Sequence, residues 1–414
     1  MALMLTAPVQ AQSPRTLEAK AEALVAFWNG TAEAGELFAP SFLAAVPPER
    51  ISAIATQLRA DLGSAQRVRG VVASGETNGI VTFVFERGEL DTRLVVAGEP
   101  PHLISGLLIT ATRPKGDSYD QLSTDLNALP GAASLAVARL DQDAPVLLAS
   151  LDPSRAAAIG SVFKLFILAE LQRQVSAGER RWTDVVPLSS KSLPSGFLQT
   201  WPTGAPLTLH SLAALMISQS DNSATDTLLN LLGREKVEAV LPRLGIRNTA
   251  ANRPFLSTFE AFALKAGDQE LTRRWLATDE AGRRRMLGQI AATAPERIDV
   301  SRLQARPNQI ATIEWFASAD DLVRTLDWLR RNGGKELRDI LAINPGLPRP
   351  AARDFTYWAY KGGSETGVIA MTFLVQSKGG AWYALAASWN DPDAALDEAR
   401  FAMLMNRAVA LLPD

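Results

Sequence analysis

The sequence predicts an α+β protein of two domains. Three observations carry this. The first 110 or so residues switch once from helical to strand periodicity. A link rich in turn formers and charge follows, Arg113-Pro114-Lys115-Gly116-Asp117. The rest of the chain has strands at both ends and a long helical region between them. The length of 414 residues agrees with two domains, at about 100–200 residues for each. With 47% hydrophobic and 21% charged residues, the chain is folded rather than disordered.

The elements follow in order. Residues 16–30 place Leu17, Leu24, Phe27 and Trp28 at helical spacing and stop at Gly30. Residues 48–62 repeat the pattern with Ile51, Ile54, Leu58 and Leu62. Residues 67–75, 79–87, 90–97 and 103–110 are short runs rich in Val, Ile, Phe and Thr, separated by Gly or Pro turns. The second domain begins near Ser118 with a helix over 118–129. Strands over 133–140 and 145–150, a helical region over 161–340, strands over 367–376 and 381–389 and a helix over 393–412 complete it. Residues 265–310 carry Arg273-Arg274 and Arg283-Arg284-Arg285 among acidic and small residues. They read as a solvated helical insertion, or alternatively as an anion-binding or lid element.

Composition excludes several chemistries. The 42 Lys+Arg against 44 Asp+Glu give a net charge of −2, with no basic surplus for nucleic acid or an anionic membrane. There is no Cys, so disulfides, thiolate metal sites and cysteine nucleophiles are absent. Only His102 and His210 are present, too few for an ordinary catalytic zinc site. A Ser-His-Asp triad would have to use one of these two; otherwise the base of an enzyme built from these residues is Lys, Asp, Glu or Tyr. No metal and no cofactor is expected.

Residues 1–11 form a short apolar stretch ending in Val9-Gln10-Ala11. This reads as the end of a secretory signal cut after Ala11, although the basic start of such a signal is missing; an N-terminal tail is the other reading. No later segment reaches about 18 uninterrupted apolar residues. A periplasmic or secreted protein without a membrane span is expected, monomeric or weakly oligomeric.

Three segments carry chemistry. Ser161-Val162-Phe163-Lys164 opens the strongly apolar run Leu165-Phe166-Ile167-Leu168-Ala169, the mark of a buried helix. At a spacing of i and i+3 the lysine amine can approach the serine hydroxyl. Burial favours the neutral amine, which can serve as a general base, and the helix N-terminus offers free N–H groups to an oxyanion. Ser220-Asp221-Asn222 stands between two apolar helices; by itself it reads as helix caps. Lys361-Gly362-Gly363-Ser364 precedes the strand 367–376; by itself it reads as a solvated lysine before a turn.

In this order, the three resemble the signature of serine β-lactamases and penicillin-binding proteins. The resemblance covers residues 118–414 and is nearest the class A type. It implies that Ser161 is the acyl-accepting nucleophile and that Lys164 takes part in activating it. Ser220 would relay a proton to the leaving nitrogen, and Lys361 would hold a substrate carboxylate and assist Ser220. Asn222 would orient the substrate amide, with Ser195, Gly363 and Ser364 also lining the substrate site. Backbone N–H groups of Ser161 and Ser364 would form the oxyanion hole.

Two departures stand out. Gly362 occupies the place of a hydroxyl residue that contacts the substrate carboxylate, and Ser364 is the candidate to supply that hydroxyl. The Glu-x-x-Leu-Asn segment that activates the deacylating water in class A enzymes is also missing. Across Asn252 to Lys265, Glu260 is the single carboxylate. It is the candidate deacylation base, or else a helix or ion-pair residue.

The first domain, helices followed by a strand meander, resembles an NTF2-like (steroid-isomerase-like) cone. Fusion of such a cone to a class A-like domain is similar to the clavulanic-acid-pathway β-lactamase-like proteins, and the Ser195-Gly196-Phe197-Leu198-Gln199 segment fits that group. Glu86, Glu89 and Asp91 read as surface charges at strand ends, and the domain as scaffold or substrate lid. The expected division is thus a signal remnant over 1–11, an NTF2-like domain over 12–114 and a serine hydrolase domain over 115–414. The expected substrate is a small β-lactam, peptide or ester, with slow deacylation. A D-Ala-D-Ala peptidase of the penicillin-binding type and a non-enzymatic binding module on the same fold are the alternatives.

Overall fold

The computed structural model describes residues 15–347 and 355–413. The signal reading of residues 1–11 lies outside them. The chain divides into two compact units, with the boundary between Asp117 and Ser118.

The first unit is a four-stranded antiparallel meander packed on helices. Its strands are β1 (Ala65–Ala73), β2 (Asn78–Phe85), β3 (Gly88–Val96) and β4 (Ile104–Pro114), in that spatial order. The helices are Arg15–Trp28, Pro48–Leu62 and two short ones, Ala34–Leu37 and Pro40–Ala45. Helix Pro48–Leu62 starts on a proline, whose fixed φ suits a first turn. It stops at Gly63, whose φ of 80° ordinary residues resist. Strand β2 alternates, so Val81, Phe83 and Phe85 point into the core. Trp28 meets Phe83 edge to face, with ring centroids 6.0 Å apart. Asp91 departs from its surface reading: it is buried, and both its oxygens accept from Arg113, at 2.6 and 2.9 Å. Thr82 Oγ1 donates to it at 2.7 Å. A carboxylate facing an arginine across a strand pair tolerates burial.

The second unit is layered, with helices on both faces of a sheet. The chain enters through helix Tyr119–Asn127, capped by the Ser118 side chain. Strands β5 (Ala132–Arg139) and β6 (Val146–Leu151) follow, then β7 (Ala157–Ala158). The region read as continuously helical is interrupted by the ribbon of β8 (Val185–Pro187) with β9 (Pro206–Thr208), and by β10 (Phe316–Ala317), which pairs with β7. Strands β11 (Phe355–Glu365), β12 (Val368–Ser377) and β13 (Trp382–Asn390) complete a five-stranded antiparallel sheet in the order β11-β12-β13-β5-β6. Helix Glu398–Ala410 closes the chain.

Strand β5 is buried on both faces, so its pattern is continuous rather than alternating. Leu135 and Val137 pack with Phe373, Tyr383 and Phe401 on one side. Ala136 and Ala138 face Phe166, Leu168 and Leu326 on the other, where small side chains let the helices approach.

Strand β11 is a correction to the sequence reading. Lys361, Gly362 and Gly363 lie within a strand that pairs with β12 from Phe355 to Glu365, not in a turn before one. Residues 265–310 also pack more closely than a solvated insertion. Helices Gln269–Leu276 and Glu280–Ala291 bury Leu271, Trp275, Met286 and Ile290 in the helical core. Their Arg284 is paired with Glu238 at 2.5 Å and Glu280 at 2.7 Å. Among the described residues, no helix is long and apolar enough to cross a membrane.

Candidate active site

Ser161 sits in the short 3-10 turn Gly160–Phe163, which runs directly into helix Lys164–Ser176. The turn abuts β11. A Cβ on Gly363 would stand 2.3 Å from Ser161 N and 2.4 Å from the Ile159 carbonyl oxygen. A Cβ on Gly160 would stand 3.1 Å from Ser364 N. Two backbones this close leave room only for glycine, and they put the amides of Ser161 and Ser364 side by side.

Lys164 is fully buried at the start of its helix. Its Nζ donates to Ser161 Oγ at 3.0 Å, Ser220 O at 2.7 Å, Ser220 Oγ at 2.9 Å and Asn222 Oδ1 at 2.7 Å. An ammonium has three protons for these four neighbours. A neutral amine instead accepts from one hydroxyl through its lone pair. Burial holds the Lys164 pKa well below the usual lysine range, and the charge of Lys361 lowers it further against Asp226 and Asp221.

Ser220 adopts a φ of 54°, the left-handed region that a non-glycine residue seldom enters. In this conformation both its carbonyl and its hydroxyl face Lys164. Asp221 holds the segment in place: it caps helix Asn222–Leu232 through Ala224 N at 2.8 Å, and accepts from Phe197 N at 2.7 Å and Leu198 N at 2.9 Å. Asn222 Nδ2 donates to the Leu193 carbonyl at 2.9 Å, which fixes the amide with its oxygen on Lys164. Ser195 Oγ donates to the Ser220 carbonyl at 2.7 Å.

Lys361 reaches the same cluster from β11. It is 4% exposed. Its Nζ donates to Ser220 Oγ at 3.1 Å and to the Gly362 carbonyl at 2.6 Å. Burial lowers its pKa to about 7. Ser161, Lys164, Ser220, Asn222 and Lys361 thus form one hydrogen-bonded group, with Ser195 attached to it.

Two cavities meet at Ser161. One of about 390 Å³ is lined by Ser161, Ser195, Ser220, Lys361, Gly363 and Ser364. The other, about 440 Å³, also touches Ser161, Ser195 and Ser364, and extends past Asn222 and Thr258 to Lys265, Glu314 and Glu365.

Glu260 is not brought to this group. It is buried in a capping box with Ser257, and Arg234 clamps both its oxygens, at 2.8 and 2.9 Å. It lines neither cavity. Of the two sequence readings of Glu260, the geometry selects the ion-pair and helix role.

The sequence reading gave no role to Tyr360 or Asn344, which line the first cavity. The Tyr360 ring lies over Gly362 and under Gly346, where a Cβ would stand 1.9 and 2.1 Å from its atoms. The hydroxyl end of this ring fills the space where a residue 362 side chain would project, so a larger residue there would displace Tyr360. Lys265, Glu314 and Glu365 were also missed.

The protein-family model described as "Beta-lactamase enzyme family" matches residues 117–400. Among solved structures, a beta-lactamase from Sphaerobacter thermophilus DSM 20745 is 22% identical, over 71% of this chain and 95% of that chain, with a TM-score of 0.49. A beta-lactamase from Chitinophaga pinensis DSM 2588 is 18% identical, over 71% and 96%, with a TM-score of 0.47. A structure of PBP-A is 17% identical, over 71% and 96%, with a TM-score of 0.46. No curated protein matches the chain.

Proposed function

The chain belongs to the beta-lactamase enzyme family, and on that premise we propose that it is a serine hydrolase whose Ser161 is acylated by a β-lactam or a related amide or ester. The observation that carries this is the placement of the buried Lys164 amine 3.0 Å from Ser161 Oγ and 2.9 Å from Ser220 Oγ.

The steps follow from the contacts. Neutral Lys164 takes the Ser161 proton as Oγ bonds to the substrate carbonyl carbon. The amides of Ser161 and Ser364 stabilise the oxyanion that forms. Lys164 passes the proton through Ser220 to the leaving nitrogen as the carbon–nitrogen bond breaks. Lys361 attracts a substrate carboxylate, with Ser364 supplying a hydroxyl in place of the side chain that Gly362 lacks. Asn222 and Ser195 orient the substrate amide. No step needs a metal or a cofactor. We read the first unit as an NTF2-like scaffold or lid and the protein as exported.

One observation favours a second reading. Because Arg234 holds Glu260, the helix Thr258–Ala266 offers no water-activating carboxylate of the class A kind. Slow release would make the protein penicillin-binding in behaviour, a peptidase of D-Ala-D-Ala type. Incubation with a penicillin followed by intact-mass spectrometry tests both readings. An adduct on Ser161 supports acylation, and its lifetime separates a β-lactamase from a penicillin-binding protein. Absence of any adduct on Ser161 contradicts the proposal.

A further inference from the structure

The second cavity leads from Ser161 to a buried group of charges with no part in acylation. Lys265 Nζ donates to Glu314 Oε1 at 2.6 Å and to Glu365 Oε1 at 2.5 Å. The side chains of Lys265 and Glu314 are 2% and 3% exposed, while that of Glu365 is 21% exposed. All three line the cavity that Ser161 also lines.

Strand geometry points Glu365 toward the Ser161 side. Residues i and i+2 of a strand share a face. Lys361, which reaches Ser220, and Gly363, which touches the Ser161 turn, are on that face of β11. Glu365 is the next residue on it, about 6–7 Å beyond Gly363 along the strand. It follows directly on Ser364, whose amide lies beside that of Ser161.

The other buried carboxyls near the site are engaged elsewhere. Glu260 is clamped by Arg234. Asp221 accepts from the amides of Phe197, Leu198 and Ala224. Asp226 accepts from Thr258 and Phe259. None of these lines the second cavity. Glu314 does, but it is spanned between Lys265 and the Trp315 amide. Glu398 lines the cavity from an exposed position.

We propose that Glu365 is the base that activates the water releasing the acyl group from Ser161, with Lys265 and Glu314 as its positioning residues. The inference rests on the acyl-enzyme reading above. Glu365 takes a proton from water in the second cavity as the water oxygen bonds to the acyl carbon. The bond from that carbon to Ser161 Oγ then breaks, and the proton held by Glu365 returns to Oγ. The product leaves with a new carboxyl group and the enzyme is restored.

The charges facing Glu365 are Lys265 from helix Thr258–Ala266, Glu314 from the segment before β10 and, within the same cavity, Glu398. Burial raises the Glu365 pKa above the usual carboxylate range, and Glu314 raises it further against Lys265. Release therefore quickens as pH rises beyond the range where ordinary carboxylates are already ionised.

The test uses the full-length protein acylated with a penicillin, with the Ser161 adduct followed by intact mass between about pH 5 and 9. Glu365→Gln is expected to acylate like wild type and to hold its adduct about a hundredfold longer, with no shortening as pH rises. Glu365→Asp keeps a carboxylate beside Lys265 and is expected to restore the pH dependence with an intermediate lifetime. Should Glu365→Gln fail to fold, Glu365→Asp carries the test alone, since a purely structural carboxylate there predicts a wild-type lifetime. Release from Glu365→Gln at the wild-type rate with the wild-type pH dependence overturns the proposal. A wild-type adduct that is never lost overturns it too, while leaving Ser161 acylation standing. No wild-type adduct at any pH ends both readings together.

Discussion

Lys164 and Lys361 converge on one oxygen: their Nζ atoms donate to Ser220 Oγ at 2.9 and 3.1 Å. A hydroxyl oxygen has two lone pairs. With both engaged, the Ser220 proton is the group left to donate outward, as the proposed relay to a leaving nitrogen requires. Two buried amines this close cannot both hold charge cheaply. The Lys361 charge lowers the Lys164 pKa, in keeping with the proposed division of Lys164 as the base and Lys361 as the cation.

This division has a pH signature. Burial brings the Lys361 pKa to about 7. A lysine is charged below its pKa, so in the free enzyme the cation is lost as pH rises through that value. Acylation kcat/KM for a substrate bearing a carboxylate should then fall on the alkaline side, toward a limit of about tenfold per pH unit. The methyl ester of the same substrate should lack this limb. Identical alkaline limbs for acid and ester would remove Lys361 from carboxylate recognition.

Gly363→Ala tests the contact between β11 and the Ser161 turn. The added Cβ would stand 2.3 Å from Ser161 N and 2.4 Å from the Ile159 oxygen, both backbone atoms that cannot swing aside. The strand must then move away from the turn and separate the amides of Ser161 and Ser364, the proposed oxyanion donors. The acylation rate should drop about a hundredfold or more, the usual cost of an oxyanion donor. Stopped-flow acylation with a chromogenic cephalosporin measures it, and a near-wild-type rate would show that the donors lie elsewhere.

Glu260→Ala tests whether that carboxylate is structural. The substitution leaves Arg234 half of a buried pair and removes the capping box with Ser257. The loss should be about 3–5 kcal/mol in urea unfolding, as for other broken buried pairs. The folded fraction should still acylate, with a wild-type adduct lifetime. A stable variant with a prolonged adduct would return Glu260 to the role of water activator.

The residues of the candidate site were legible through their types and order, and in the first segment through helix spacing. Lys164 within an apolar run needed a reason, and Ser161 three residues earlier supplied one. Strand β11 was not legible across its glycines, because Lys-Gly-Gly-Ser has the composition of a turn. Pairing with β12 and the approach of the Ser161 turn override that preference. Glu260 did carry a local signal: Ser257-Thr258-Phe259-Glu260 is a capping-box sequence. Asp91 gave no sign of burial, since its partner Arg113 comes from the next strand. The group around Lys265 joins residues 49 and 100 positions apart, and no local pattern announces such a contact.

Acylation of Ser161 with Lys164 as its base can be read from the mass of the intact protein after exposure to a penicillin. The expected result is an increase equal to the whole β-lactam, located on the peptide that contains Ser161, lost in Ser161→Ala and strongly slowed in Lys164→Ala. An unlabelled wild-type protein, or Ser161→Ala labelled as fully as wild type, would contradict it.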